Sequence, residues 1–119
     1  MQDKIRSFKD LKVWQKSIEL VKEIYHITKI FPKEENYGLS AQMRRTVISI
    51  PSNIAEGFRR RFIKEHKQFI NIALGSCAEL ETHIIIAKEL GYINSSTEQK
   101  LREELNYICA MLVNINKKI

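Results

Sequence analysis

The stretch YGLSAQMRRTVISIPSNIAEG, residues Tyr37 to Gly57, carries the clearest helical pattern in the chain. Its apolar residues recur at intervals of three and four, which places them on one face of a helix: Leu39, Met43, Val47, Ile50 and Ile54. Pro51 lies inside the pattern and cannot donate a hydrogen bond to the preceding turn, so we expect this helix to be kinked there. The other face carries hydrogen-bonding groups suited to meeting a second surface: Gln42, Arg44, Arg45, Ser49, Ser52, Asn53 and Glu56.

An earlier helix is predicted to begin near Ser7, which forms a capping-box pattern with Asp10. It carries two adjacent apolar rows, the first being Leu11, Trp14, Ile18, Val21 and Tyr25, and the second Val13, Leu20, Ile24, Ile27 and Phe31. Two apolar rows predict a helix that is buried on two sides, against its own bundle and against another subunit.

Two more helices follow the central stretch. The third runs from about Phe62 to Leu90 and ends at Gly91, a residue suited to a left-handed cap. Its predicted stripe is Phe69, Ile72, Ala73, Ser76, Leu80, Ile84 and Ala87. A capping box of Ser95 and Glu98 is predicted to open the fourth helix, whose stripe is Leu101, Leu105, Ile108, Leu112 and Ile115.

Four amphipathic helices joined by short loops predict an all-α protein, an antiparallel up-down-up-down four-helix bundle that forms a single domain over residues 1–119. At 44% hydrophobic residues, the chain can bury a core without a metal or a disulfide. Cys77 and Cys109 fit no metal-ligand spacing. They are predicted to be core thiols at one level of helices three and four, with Cα atoms beyond disulfide reach.

No run of about 20 consecutive apolar residues is present, and Met1 to Ser7 is polar. We therefore expect a cytoplasmic protein with no membrane partner.

The positive charge of the chain is unevenly distributed. The chain has 20 basic and 14 acidic residues, and residues 1–33 and 58–67 carry the excess. Such patches predict an anionic partner. The candidate nucleic-acid contacts are Lys12, Lys16, Arg59, Arg60, Arg61, Lys64 and Lys67.

The sequence holds no pattern of catalytic or metal-binding residues. His26, His66 and His83 lie on separate helical segments without an HExxH pair or a neighbouring ligand cluster. Glu79 and Glu81 are two residues apart on a helix and face different ways, and no glycine-rich phosphate loop is present. We therefore expect a protein that is not an enzyme and needs no metal or cofactor.

Four motifs, in this order, resemble the bacterial four-helix-bundle family encoded by intervening sequences of 23S ribosomal RNA genes. They are DLKVWQ (Asp10 to Gln15), FP (Phe31 and Pro32), the stretch from Tyr37 to Gly57, and ALGSCAELET (Ala73 to Thr82). That family is similar to the accessory variability determinant protein of diversity-generating retroelements, a basic pentameric bundle that works with a reverse transcriptase and nucleic acid. The resemblance implies a homopentamer with a basic surface and no established enzymatic activity.

A pentamer would multiply the run from Phe58 to Lys67 into about 20 added positive charges, which favours a polyanionic ligand. No helix-turn-helix, zinc-finger or RNA-recognition motif is present, so binding of RNA or DNA by shape and charge is expected. The alternative is a homo-oligomeric scaffold that recruits an acidic protein and binds no nucleic acid. A polymerase partner stays an open possibility.

The polar residues of the central helix allow two interpretations. Arg44 and Arg45 either contact nucleic acid or form ion pairs, with Glu79 within a helical turn of Arg45 in the predicted bundle. The remaining residues are predicted to form a structural or subunit-interface motif: Gln42, Ser49, Asn53 and Glu56.

Overall fold

A computed structural model describes residues 6–119, most of which lie in four helices. A short 3₁₀ turn, Phe8–Asp10, precedes α1 (Lys12–Thr28), and a second, Lys33–Glu35, precedes α2 (Leu39–Arg59). Helices α3 (Ile63–Glu89) and α4 (Ser95–Lys118) follow. Residues 6–119 contain no strand. The predicted all-α four-helix bundle is confirmed.

The helices pack in a closed ring, with α2 between α1 and α3, and α4 between α3 and α1. Polar contacts define their relative directions. Arg44, near the start of α2, donates to Thr28 at the end of α1 over 2.8 Å. Asn116, near the end of α4, donates to Asn71 in the first half of α3 over 2.7 Å. Such contacts are expected of neighbouring helices that run in opposite directions.

The buried stripes of α2 and α4 are those that the sequence predicts. All five apolar stripe residues of α2 are buried, as are Leu101, Leu105, Ile108 and Leu112 of α4. In α1 the second row is buried except for Ile27, which is partly buried like Trp14 and Val21 of the first row. The first row therefore stays partly exposed in the single chain.

The predicted stripe of α3 is wrong at two positions. Ile72 is 45% exposed and Phe69 is only partly buried, while Ile70 and Cys77 are buried instead. Helix α3 is apolar on most of its circumference, so periodicity does not single out one face. By length and composition it is apolar enough to cross a membrane, and 33% of its most apolar window is buried here, where it packs between α2 and α4.

The two predicted capping boxes differ in outcome. Ser7 and Asp10 form theirs, but it caps the 3₁₀ turn, and α1 begins only at Lys12. The box at Ser95 is wrong, because Asn94 is the cap and its side-chain oxygen accepts from the Thr97 N–H over 2.8 Å. Asparagine and serine are about equally good caps, so residue type alone does not tell which of two adjacent residues caps the helix.

Gly91 ends α3 as predicted. Its φ is +81°, and the Tyr92 N–H donates to the Ala87 carbonyl over 2.9 Å, which is the Schellman arrangement. Pro51 lies buried within α2, and the bend there stays a prediction. The Asn53 side chain donates to the Ser49 carbonyl over 2.7 Å near this proline.

Helices α2 and α3 approach closely at Gly57. A Cβ added there would lie 3.1 Å from the Phe69 Cβ and 3.3 Å from the His66 carbonyl oxygen. We expect Gly57→Val to lower the free energy of unfolding by about 1 to 3 kcal/mol, because the added methyl groups overpack this contact. Urea denaturation measures the effect, with Gly75→Val as control, since a Cβ at Gly75 meets nothing within 4 Å. An equal loss of unfolding free energy in both variants would contradict the close approach of the helices at Gly57.

Candidate nucleic-acid interface

The topology brings four chain segments together at one end of the bundle: the starts of α1 and α3 and the ends of α2 and α4. The Arg59 guanidinium carbon lies 5.4 Å from the centroid of the Phe8 ring, which joins the end of α2 to the segment before α1. The Asn116–Asn71 hydrogen bond holds the end of α4 near the start of α3. We call residues 6–12, 56–67 and 116–119 the basic end.

The basic end holds the positive excess of the chain. It carries ten basic residues and three acidic ones, Asp10, Glu56 and Glu65, whereas the remaining sequence carries ten basic and eleven acidic residues. The basic residues are Arg6, Lys9, Lys12, Arg59, Arg60, Arg61, Lys64, Lys67, Lys117 and Lys118. Two patches that are separate in sequence, and a third at the end of α4, therefore form one surface.

Two of the three consecutive arginines are positioned by aromatic rings. Arg59 lies over Phe8, and the Arg60 guanidinium carbon lies 4.7 Å from the Phe69 ring centroid. Arg60 also pairs with Glu56 over 2.9 Å, but both side chains are exposed, and such pairs are weak. All three arginines are exposed. Their guanidinium groups are therefore held near the surface and open to a phosphate.

The start of α3 extends this surface. Lys64 and Lys67 border a shallow depression that Gln68, Asn71 and Ile72 complete. Burial lowers the pKa of His66 below its ordinary value, which disfavours the charged imidazole. The positive charge at this position is therefore mainly that of the lysines.

The two α1 lysines predicted as contacts lie in different environments. Lys12 is in the first turn of α1 at the basic end. Lys16 lies one turn further along, with its Nζ 5.9 Å from the Tyr107 ring centroid, in a groove between α1 and α4 that Glu19, Glu23, Glu103 and Glu104 also line. Lys12 and Lys16 also line one shallow depression on α1, so Lys16 lies between the basic end and the glutamates of the groove.

The polar residues of α2 divide between internal contacts and solvent. Arg44 donates to Thr28 and lies 4.9 Å from the Tyr25 ring centroid. The hydroxyls of Ser49 and Ser76 hydrogen-bond over 2.7 Å between α2 and α3. Gln42, Arg45, Glu56 and Glu79 are exposed, and among residues 6–119 no ion pair joins Arg45 to Glu79. The ion pair predicted for Arg45 is therefore not formed with Glu79 within one chain.

The two cysteines lie together, as the sequence predicts. Cys77 on α3 and Cys109 on α4 are both free. The neighbouring Cys109 thiol and burial raise the pKa of the Cys77 thiol. Among the described residues, no group of three or more His, Cys, Asp or Glu side chains could hold a metal ion.

The groove between α1 and α4 contains a carboxyl pair that the sequence does not reveal, because its members lie on different helices. Burial and the neighbouring Glu23 raise the pKa of Glu104 to about 7, against the opposing effect of Lys100 and Lys16. The Lys100 Nζ lies 3.8 Å from Glu23. Above neutral pH, two negative carboxylates therefore face each other across this seam.

Glu104→Gln should make the protein more stable at high pH. A raised folded-state pKa contributes stability that is present below the unfolded-state value of 4.5 and is lost as the pH rises through about 7. Glutamine cannot ionise, so we expect the variant to gain about 1 kcal/mol near pH 8, after allowance for solvent screening, and little near pH 5. Urea unfolding at both pH values tests this, with the exposed Glu103→Gln as control. A gain that does not depend on pH would contradict it.

These observations define the class of protein: an all-α four-helix bundle whose positive charge is concentrated at one end. The chain belongs to the family of 23S rRNA-intervening sequence proteins, which it matches over residues 9–114. This confirms the resemblance that the motifs carry. No curated protein matches the chain significantly.

Chains of known structure share the fold. One of them is from the crystal structure of a protein of unknown function from the S23 ribosomal protein family of Bacteroides thetaiotaomicron. The TM-score is 0.81 at 24% sequence identity, over 88% of this chain and 95% of that one. At this identity the likeness concerns the fold.

Proposed function

We propose that this protein is a non-enzymatic homo-oligomer of the cytoplasm that binds RNA or DNA through the phosphate backbone, in a process linked to rRNA intervening sequences or mobile elements. The observation that carries the proposal is the basic end, where ten basic residues meet three acidic ones. Its charge comes from all four helices or the segments beside them. A surface assembled in this way suits an extended polyanion better than a single small anion.

Binding would be mainly electrostatic. Each phosphate neutralised by a lysine or arginine releases condensed counterions, so affinity grows with the number of contacts and falls with salt. The rings of Phe8 and Phe69 limit the freedom of Arg59 and Arg60, which reduces the entropy lost when these guanidinium groups bind. The shape of the ligand and its charge, rather than its base sequence, would decide affinity.

Self-association would multiply this surface. The residues Trp14, Ile18 and Val21 form a partly exposed apolar row on α1, and Ile48 of α2 is 42% exposed. Arg44 lies over Tyr25, so Ile48, one turn further along the antiparallel α2, lies beside this row. This α1–α2 face is the surface through which copies would meet, in a pentamer if the family resemblance extends to assembly.

Fluorescence anisotropy tests the proposal. A labelled structured RNA and a matched DNA duplex are titrated from about 50 mM to about 200 mM salt, and the logarithm of the affinity should fall linearly with the logarithm of the salt concentration, with a slope of several phosphates. The ratio of the two affinities shows whether RNA or DNA is the preferred ligand. Absence of binding at low salt would overturn the proposal and favour a scaffold that recruits an acidic protein.

A further inference from the structure

The turn between α2 and α3 exposes an aromatic ring at the centre of the basic end. Phe62 is 64% exposed, and the neighbouring Ile63 is also exposed. Arg61 and Lys64 flank this pair in sequence. Phe62 occupies the N-cap position of α3 with extended backbone angles, and its side chain makes no capping hydrogen bond. The ring contributes neither to the core nor to the cap, so the fold gives no reason for an aromatic residue here.

Two other aromatic rings near this end are already occupied, and a third, Phe58, is less exposed than Phe62. Phe8 packs edge-on against Trp14, with ring centroids 5.4 Å apart, and Arg59 lies over it. Phe69 is covered by Arg60. Within residues 6–119, neither another ring nor a cationic side chain covers Phe62. Its faces are therefore open, and they lie among cations that attract phosphates.

We propose that the Phe62 ring stacks on an unpaired base, so that the basic end prefers single-stranded segments of RNA or DNA to an uninterrupted duplex. The inference rests on the proposed function. Every base has a π-face, so stacking requires no particular sequence. In a duplex these faces are stacked on one another, and only loops, bulges, ends and single strands present one to a protein side chain.

Charge complementarity decides between the possible occupants of this site. A second copy of the same end is disfavoured, because ten basic residues would meet ten others with only three acidic residues on each side. An anionic membrane satisfies the charge, but the large exposed apolar side chains of the basic end are only Phe62, Ile63 and Ile119, and membrane-surface binding scales with the apolar area buried. A nucleic acid satisfies both the charge and the open ring.

The test compares Phe62→Ala with the wild-type protein on a labelled uridine-rich single strand of about 15 nucleotides and on a duplex of equal length. Stacking predicts about a tenfold loss of affinity for the single strand and less than about a twofold loss for the duplex. Phe62→Tyr, which retains a ring, should restore single-strand binding. Tyr37→Ala is the matched control, because Tyr37 is 99% exposed and lies in the loop before α2, at the opposite end of the bundle.

The outcomes separate this inference from the function on which it rests. If both ligands bind with a strong salt dependence but Phe62→Ala weakens neither, or weakens both equally, the stacking inference is wrong and the electrostatic function stands. If neither ligand binds at low salt, both fail. If vesicles of phosphatidylcholine and phosphatidylserine bind in a Phe62-dependent way while the oligonucleotides do not, the ring inserts into membranes and the inference is overturned.

Discussion

Replacing Arg59, Arg60 and Arg61 together by alanine should lower the affinity for a structured RNA about a hundredfold near 100 mM salt and make the salt dependence shallower by two to three units of slope. The three guanidinium groups are exposed at the centre of the basic end, so each is free to neutralise a phosphate. The fold should persist, because the one ion pair lost, Arg60–Glu56, is exposed and contributes at most about 1 kcal/mol. Anisotropy across a salt series measures both quantities.

The matched control removes the same charge from the other end. Lys29, Lys33 and Lys88 lie beyond the end of α1, before α2 and at the end of α3, so alanine at all three changes the net charge equally. We expect at most a fewfold loss, from weaker long-range attraction. Circular dichroism and sedimentation verify the fold and the oligomeric state of both variants. Equal losses in the two variants would mean that net charge, and not the basic end, determines binding.

Ile48→Asp should dissociate the proposed oligomer. Ile48 is exposed in the single chain, so aspartate there costs the isolated bundle little, but a carboxylate buried without a partner between subunits is strongly destabilising. The mass in analytical ultracentrifugation should fall from that of a pentamer to the 14.0 kDa of one chain. The affinity for long RNA should fall as well, because one basic end replaces several acting together.

Ile30→Asp is the control for this substitution. Ile30 is also exposed but lies in the connection after α1, away from the α1–α2 face, and the mass should not change. A wild-type protein that sediments as a single chain at micromolar concentration, or an Ile48→Asp variant with unchanged mass, would contradict the proposed interface.

The sequence predicts the fold well where one helix face is clearly more apolar than the other. The stripes of α2 and α4 have this contrast, and each is buried as predicted, except that Ile115 at the end of α4 is only partly buried. Helix α3 lacks this contrast between its faces, so the sequence wrongly predicts that Ile72 is buried and does not predict the burial of Ile70. The cap of α4 is missed for a different reason, since Asn94 and Ser95 are adjacent and both suit the position.

The candidate site is only partly visible in the sequence. A run such as Arg59 to Lys67 is apparent by inspection, but the joining of that run to Lys9, Lys117 and Lys118 depends on which helix ends meet. The glutamates that Lys16 faces in the α1–α4 groove are also not apparent from the sequence, because Glu103 and Glu104 come from another helix. The exposure of Phe62 and the pairing of Glu23 with Glu104 likewise follow from tertiary packing rather than from local pattern.

The central claim, that the basic end is the nucleic-acid interface, is tested most directly by lysine footprinting. The protein is acetylated briefly with and without a structured RNA at low salt, and the modification of each lysine is quantified by mass spectrometry. The account predicts protection of Lys9, Lys12, Lys64, Lys67, Lys117 and Lys118, and unchanged modification of Lys29, Lys33, Lys88 and Lys100. Protection spread evenly over both sets, or confined to the second, would contradict it.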